Sequence, residues 1–161
     1  MTSFRGPLAT ITLSIGLLSV SAAPALADGP AHPSVSVACD VYEIWASHGK
    51  GTIDPKVPKK LAHRLGNTLK QNDFKLQSHN KVTLATKKPH VLKLARGSAT
   101  ITLIETVNKA QARLTVDFTA ANKLKSNTTQ LVSAGDWVVS SVNQASSANA
   151  EAHVLAVGSC K

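Results

Sequence analysis

The chain has 161 residues and carries 18 Lys and Arg against nine Asp and Glu, a formal net charge of +9 at pH 7. Nine acids spread over such a length argue against paired-carboxylate catalysis and against a calcium loop. The positive balance points instead to anionic partners.

The first 27 residues, "MTSFRGPLATITLSIGLLSVSAAPALA", read as a signal peptide. Arg5 supplies a short positive region, Leu8–Val20 an apolar core, and Ala25-Leu26-Ala27 the small-residue pattern that a signal peptidase accepts. Thr10, Thr12, Ser14 and Ser19 interrupt that core, which falls short of the roughly 20 apolar residues of a membrane span. Cleavage is expected after Ala27, with no transmembrane segment afterwards, which makes the chain an exported protein, periplasmic or extracellular. The remaining 134 residues, 28–161, suit one domain and not two, with 17 basic residues against nine acids, or +8.

Residues 28–33, "DGPAHP", form a flexible arm, and 34–161 a single β-rich globular domain. "SVSVACDVYEIWASH" alternates as a strand, with Val35, Val37, Cys39 and Val41 on one face. Tyr42, Ile44 and Ala46 are then offset by one, a shift that a bulge near Cys39–Val41 would absorb. "GKGT" follows as a turn. In "DPKVPKKLAHRLGNTLK", Val57, Leu61, Leu65 and Leu69 recur every four residues and predict an amphipathic helix over 57–70. Asp54 or Thr52 would start it, Pro58 fits its first turn, and Gly66 marks close packing or an early end.

After Asn72 the period changes to two. "FKLQSH", "KVTLAT", "HVLKLA" and "ATITLIET" read as separate strands bearing Phe74 and Leu76, Val82 and Leu84, Leu92 and Leu94, Ile101 and Leu103. "ARLTVDFT" is the clearest, with Ala112, Leu114, Val116 and Phe118 inward and Arg113, Thr115, Asp117 and Thr119 outward. "TTQLVS", a turn at Ala134-Gly135-Asp136, "WVVSSV" and "EAHVLAVGS" complete the set. The expected fold is mostly β (α+β): an antiparallel β-sandwich-like domain with one short amphipathic helix packed on it. Cys39 and Cys160 are expected to form an intramolecular disulfide in an oxidising compartment, which places the first strand beside the last.

Charge is unevenly distributed. Residues 50–96 hold twelve Lys and Arg and two acids, Asp54 and Asp73, for +10. From Lys56 to Lys70 there is no acid at all, so Lys56, Lys59, Lys60, His63, Arg64 and Lys70 form a candidate surface for an anionic ligand. An anionic envelope polymer or an acidic protein is the expected partner. Nucleic acid ranks lower, because the basic segment offers only Phe74 as a stacking platform and alternation sends it inward.

Catalytic motifs are missing. "SHGKGT" lacks the first glycine of a phosphate loop and reads as a turn, and neither G-x-S-x-G nor H-E-x-x-H occurs. His32, His48, His63, His79, His90 and His153 form no tight ligand pair; His79 and His90 could meet across adjacent hairpins, but histidines on a strand face more often face solvent. The expectation is a non-enzymatic envelope protein without metal or cofactor, which binds an anionic surface or polymer through the basic helix face or serves as an accessory subunit of an envelope assembly. Two rivals are an interaction module that pairs through a sheet edge and a hydrolase whose histidine, carboxylate and hydroxyl assemble only in three dimensions. Asn127-Thr128-Thr129 fits a glycosylation sequon, idle in a bacterial export route.

Ile53-Asp54-Pro55, the helix with Leu61 and Leu65, Phe74-Lys75-Leu76 and the following hairpins together resemble a group of uncharacterised bacterial exported (periplasmic) proteins. The resemblance covers residues 40–120. It implies an exported α+β or mostly-β domain and brings no activity. Where that group carries a Leu-Pro-Asn-Gly turn, this chain has Leu94-Ala95-Arg96-Gly97.

Overall fold

A computed structural model describes residues 35–108, 110–144 and 150–161. The expected signal peptide, 1–27, and arm, 28–33, lie outside the described residues. Among the described residues, eight strands and one helix follow in order: β1 (Ser36–Ser47), α1 (Lys59–Thr68), β2 (Asp73–Ala85), β3 (Pro89–Leu94), β4 (Gly97–Asn108), β5 (Gln111–Ala120), β6 (Lys125–Ser133), β7 (Trp137–Asn143) and β8 (Ala152–Gly158). They form two antiparallel four-stranded sheets, ordered β2-β1-β8-β7 and β3-β4-β5-β6. The expected sandwich-like domain with one helix is the architecture found.

Three layers follow from where the apolar side chains go. One core lies between the sheets, where Val41, Leu84 and Leu155 meet Ile101, Leu114 and Phe118. A second lies on the other face of the first sheet, where Val57, Leu61 and Leu65 meet Ile44, Phe74, Trp137 and Val154. The first sheet is thus the middle layer, and its central strands β1 and β8 are buried on both faces. A strand in that position needs apolar residues at both parities, so it cannot show clean alternation. This accounts for the offset between Cys39, Val41 and Tyr42, Ile44, Ala46 without any bulge at Cys39–Val41. Val35, expected to face inward, is exposed ahead of the strand.

The irregularity lies one strand over. "FKLQSH" and "KVTLAT" are one continuous strand, β2, and its pairing with β1 slips between Glu43↔Ser78 and Ile44↔Leu76, leaving Gln77 as the extra residue. A one-residue bulge reverses the faces. Phe74 and Leu76 accordingly pack under α1, while Val82 and Leu84, of the same parity, pack between the sheets.

The helix begins later than its periodicity suggests. Asp54 makes a turn, accepting from the Lys56 amide through its carboxylate and the Val57 amide through its carbonyl, both at 2.9 Å. Pro58 then stands at the N-cap. Ten residues are too few for a helix to persist alone, so burial of Val57, Leu61 and Leu65 holds it. Gly66 neither ends the helix nor permits close packing: the helix continues to Thr68, and no atom lies within 4 Å of where a Cβ would stand.

Cys39 and Cys160 are bonded, with their Cα atoms 4.1 Å apart. Regular pairing of β1 with β8 reaches Asp40↔Gly158. Ala38 and Lys161 then exchange two backbone bonds of 2.9 Å, so one extra residue has been accommodated. Ser159, at φ +51°, supplies the break and turns Cys160 to the same face as Cys39.

Two outcomes are expected. Replacing both cysteines by alanine lowers stability in urea by about 2–4 kcal/mol while leaving the far-ultraviolet circular dichroism unchanged at room temperature. Gly66→Ala raises the unfolding free energy by about 0.5–1 kcal/mol, since helix propensity is gained and nothing is displaced.

Candidate functional site

A groove of about 670 Å³ runs between α1 and the turn that leads into β7. Its helical wall carries Lys59, Lys60, His63, Arg64, Asn67 and Thr68. Four-residue spacing sorts these into two rows, Lys59–His63–Asn67 and Lys60–Arg64–Thr68, whose members rise about 6 Å per step along the axis. Within the rows, the Asn67 amide and His63 Nε2 lie 3.1 Å apart, and the Thr68 hydroxyl donates to the Arg64 carbonyl at 2.8 Å. Burial of Leu61 and Leu65 fixes which face these residues present. The opposite wall is Ala134, Gly135, Asp136 and Trp137.

Lys59, Lys60 and His63 are exposed along this groove, and Lys56 and Lys70 are exposed beyond its two ends. Arg64 is half-buried and bonded, its guanidinium donating to Asp136 Oδ1 at 2.7 Å. Three other lysines of the basic half occupy a different setting. Lys75 and Lys81 lie on β2, and Lys93 lies with Pro89 on β3, the two edge strands on one side of the sandwich. Charges, proline and a bulge on edge strands hinder pairing with other chains, so these residues have a structural role. They also weigh against a module that binds through those two edges.

A histidine, a carboxylate and a hydroxyl do come together, but between the sheets. Glu43 is fully buried on β1, with His153 Nε2 2.8 Å from its Oε1 and the Ser78 hydroxyl donating to Oε2 at 2.8 Å. The Ala95 and Arg96 amides, at the tip of the β3–β4 hairpin, donate to Oε2 and Oε1, each at 2.8 Å. Burial pushes this carboxyl upward, and the four hydrogen bonds, led by His153, more than offset that and bring it from 4.5 down to about 2. A hydrolytic triad needs the imidazole between hydroxyl and carboxylate. Here the carboxylate is in the middle and sealed from solvent, so the cluster acts as a tie between the sheets. Phe118 meets the His153 ring edge-on at 4.8 Å, and Trp45 packs beside it beneath the Arg96 guanidinium, 4.6 Å from the indole centroid.

His79 and His90 do not meet, because β2 and β3 belong to different sheets. His79 stacks on Tyr42 at 4.2 Å and approaches Asp40 at 2.9 Å. Burial, and then the Asp40 charge, raise the Tyr42 phenol above its usual value. Among the described residues no three His, Cys, Asp or Glu side chains gather as a metal site would require.

Sequence reasoning missed Asp136 as a groove residue and Glu43–His153 as a pair. For the pair a signal existed: one ionisable residue interrupts the apolar run of each central strand, in "VYEIW" and "AHVLAV". No family model, curated protein or solved structure matches this chain.

Because the folded value of Glu43 lies below the unfolded one, its stabilisation is present above pH 4.5 and is lost as pH falls toward 2. This amounts to roughly 3 kcal/mol. In acid titrations of unfolding free energy, Glu43→Gln should flatten that slope. Glu43→Ala, which leaves His153, the Ser78 hydroxyl and two amides without their acceptor, should cost about 3–5 kcal/mol at neutral pH.

Proposed function

We propose that this chain is an exported, non-enzymatic envelope protein, periplasmic or extracellular after cleavage behind Ala27, that binds an anionic envelope polymer along α1. The observation carrying this reading is the groove wall, where Lys59, Lys60, His63 and Arg64 stand in two rows opposite one acid, Asp136. The basic residues on β2 and β3 protect sheet edges, whereas α1 has no edge to protect. Its outer face would be equally soluble with charges of both signs.

Helix electrostatics add a second argument. Lys56, Lys59 and Lys60 gather at the amino end of α1, where the macrodipole is already positive, and the first turn has no acid and no side-chain cap. Each cation there costs a few tenths of a kcal/mol, up to about 1. Such an arrangement disfavours the free helix and favours a bound anion. A linear ligand matches rows that run along a groove, and so ranks above a compact acidic protein. Nucleic acid ranks lower because Phe74 and Trp137 are buried, so that among the described residues no exposed Trp, Tyr or Phe stands beside the lysines.

The test is binding of the exported protein to a panel of anionic polymers at low and near-physiological salt, beside a variant with Lys56, Lys59, Lys60 and Arg64 changed to Gln. One polymer should be retained at physiological salt, and the variant should bind it at least about tenfold more weakly and with a shallower salt dependence. Equal binding by both proteins would remove α1 as the site.

A further inference from the structure

This inference rests on the reading of the α1 groove as a polyanion site and concerns how that site is set. Among Lys56, Lys59, Lys60, His63, Arg64 and Lys70, the described residues give a carboxylate partner to Arg64 alone. The pair is open to solvent, with the Arg64 and Asp136 side chains 31% and 47% exposed. Asp136 is held independently of Arg64. Its Oδ1 accepts the Trp137 amide at 2.8 Å, its own amide donates to the Ser133 carbonyl at 2.9 Å, and its carbonyl accepts the Ser159 amide at 3.0 Å. The carboxylate therefore stands on the groove wall facing the Lys60–Arg64–Thr68 row, where a charged group of a ligand lying along that row would sit.

We infer that Asp136 is an internal mimic of one anionic group of a linear polymer bearing phosphate or sulfate groups, and that binding exchanges the Asp136 carboxylate for such a group on Arg64. The guanidinium has five donors in a planar fork that suits a tetrahedral oxyanion, and one of its nitrogens is committed to Asp136. A tethered carboxylate competes at an effective concentration on the order of millimolar or above. Single small anions lose that competition. A chain already held by Lys59 and Lys60 meets Arg64 intramolecularly and wins it, so the contact selects polymers over monomers.

The experiment titrates the full exported protein with long-chain inorganic polyphosphate, dextran sulfate and orthophosphate at near-physiological salt. Asp136→Asn keeps the acceptor for the Trp137 amide, and Asp136→Ser is a second variant that does so. Glu105→Gln is the control for charge, since Glu105 pairs with Arg113 on the second sheet in the same exposed manner at 2.8 Å. The expected result is that Asp136→Asn tightens binding of one polymer by about three- to tenfold and Glu105→Gln by less than about twofold. The gain should vanish in Arg64→Gln/Asp136→Asn. Polyphosphate or dextran sulfate responding identifies phosphate or sulfate as the group. Equal gains in the two single variants, or a gain that survives without Arg64, overturn the mimic and leave the groove reading standing. Failure of every variant to bind either polymer overturns both.

Discussion

The carboxylate of Glu43 accepts from four donors that reach it from β1's two neighbours and from the facing sheet: Ser78 on β2, His153 on β8, and the Ala95 and Arg96 amides of the β3–β4 hairpin. A buried charge with fewer partners would be costly, so each donor constrains the position of the element that carries it. The hairpin shows this most directly. Its two central residues, Ala95 and Arg96, are not among those at positive φ, although two-residue hairpins usually prefer that geometry. Their amides point at Glu43 instead. The facing sheet is thereby positioned on the first by a polar contact with fixed directions, which apolar packing alone does not provide.

Around that tie, the middle layer imposes its own requirement. The first sheet must satisfy a second sheet on one face and a helix on the other. β1 and β8 do so by carrying buried apolar residues at both parities, and β2 by carrying a bulge at Gln77 that switches its apolar residues from one core to the other. The helix can then be short. Four buried aliphatic residues, Val57, Leu61, Ala62 and Leu65, hold it, and its outer surface is left to composition that stability does not dictate. That freedom gives the lysines on α1 a different meaning from those on the edge strands.

Much of the architecture was legible because it depends on period. The strand from Ala112 to Phe118 has one buried face, and its alternation was unambiguous; the Val57–Leu65 stripe likewise marked the helix. Legibility failed where two cores share one strand. The doubled parity of β1 looked like a register fault, and the true fault, in β2, was hidden because Phe74, Leu76, Val82 and Leu84 have one parity yet opposite faces. In the groove, Lys59, Lys60, His63 and Arg64 could be read from helical spacing. Asp136 could not, because its relation to Arg64 spans 72 positions and depends on how β7 is laid against the helix. The pairing of the two cysteines was accessible by elimination, but not the bulge at Ser159 that makes their side chains meet.

That last junction has a mechanical consequence. β1 and β8 are the first and last of the described strands, adjacent and antiparallel, and the covalent bond joins them beside Ala38 and Lys161. Tension applied to the chain on either side of Cys39 and Cys160 passes through two sulfur atoms and bypasses everything between. The 121-position span that contains both cores and the α1 groove is therefore unloaded. With the thiols reduced, the same tension would fall on the pairing of β1 with β8, and the sheets would unzip from that seam.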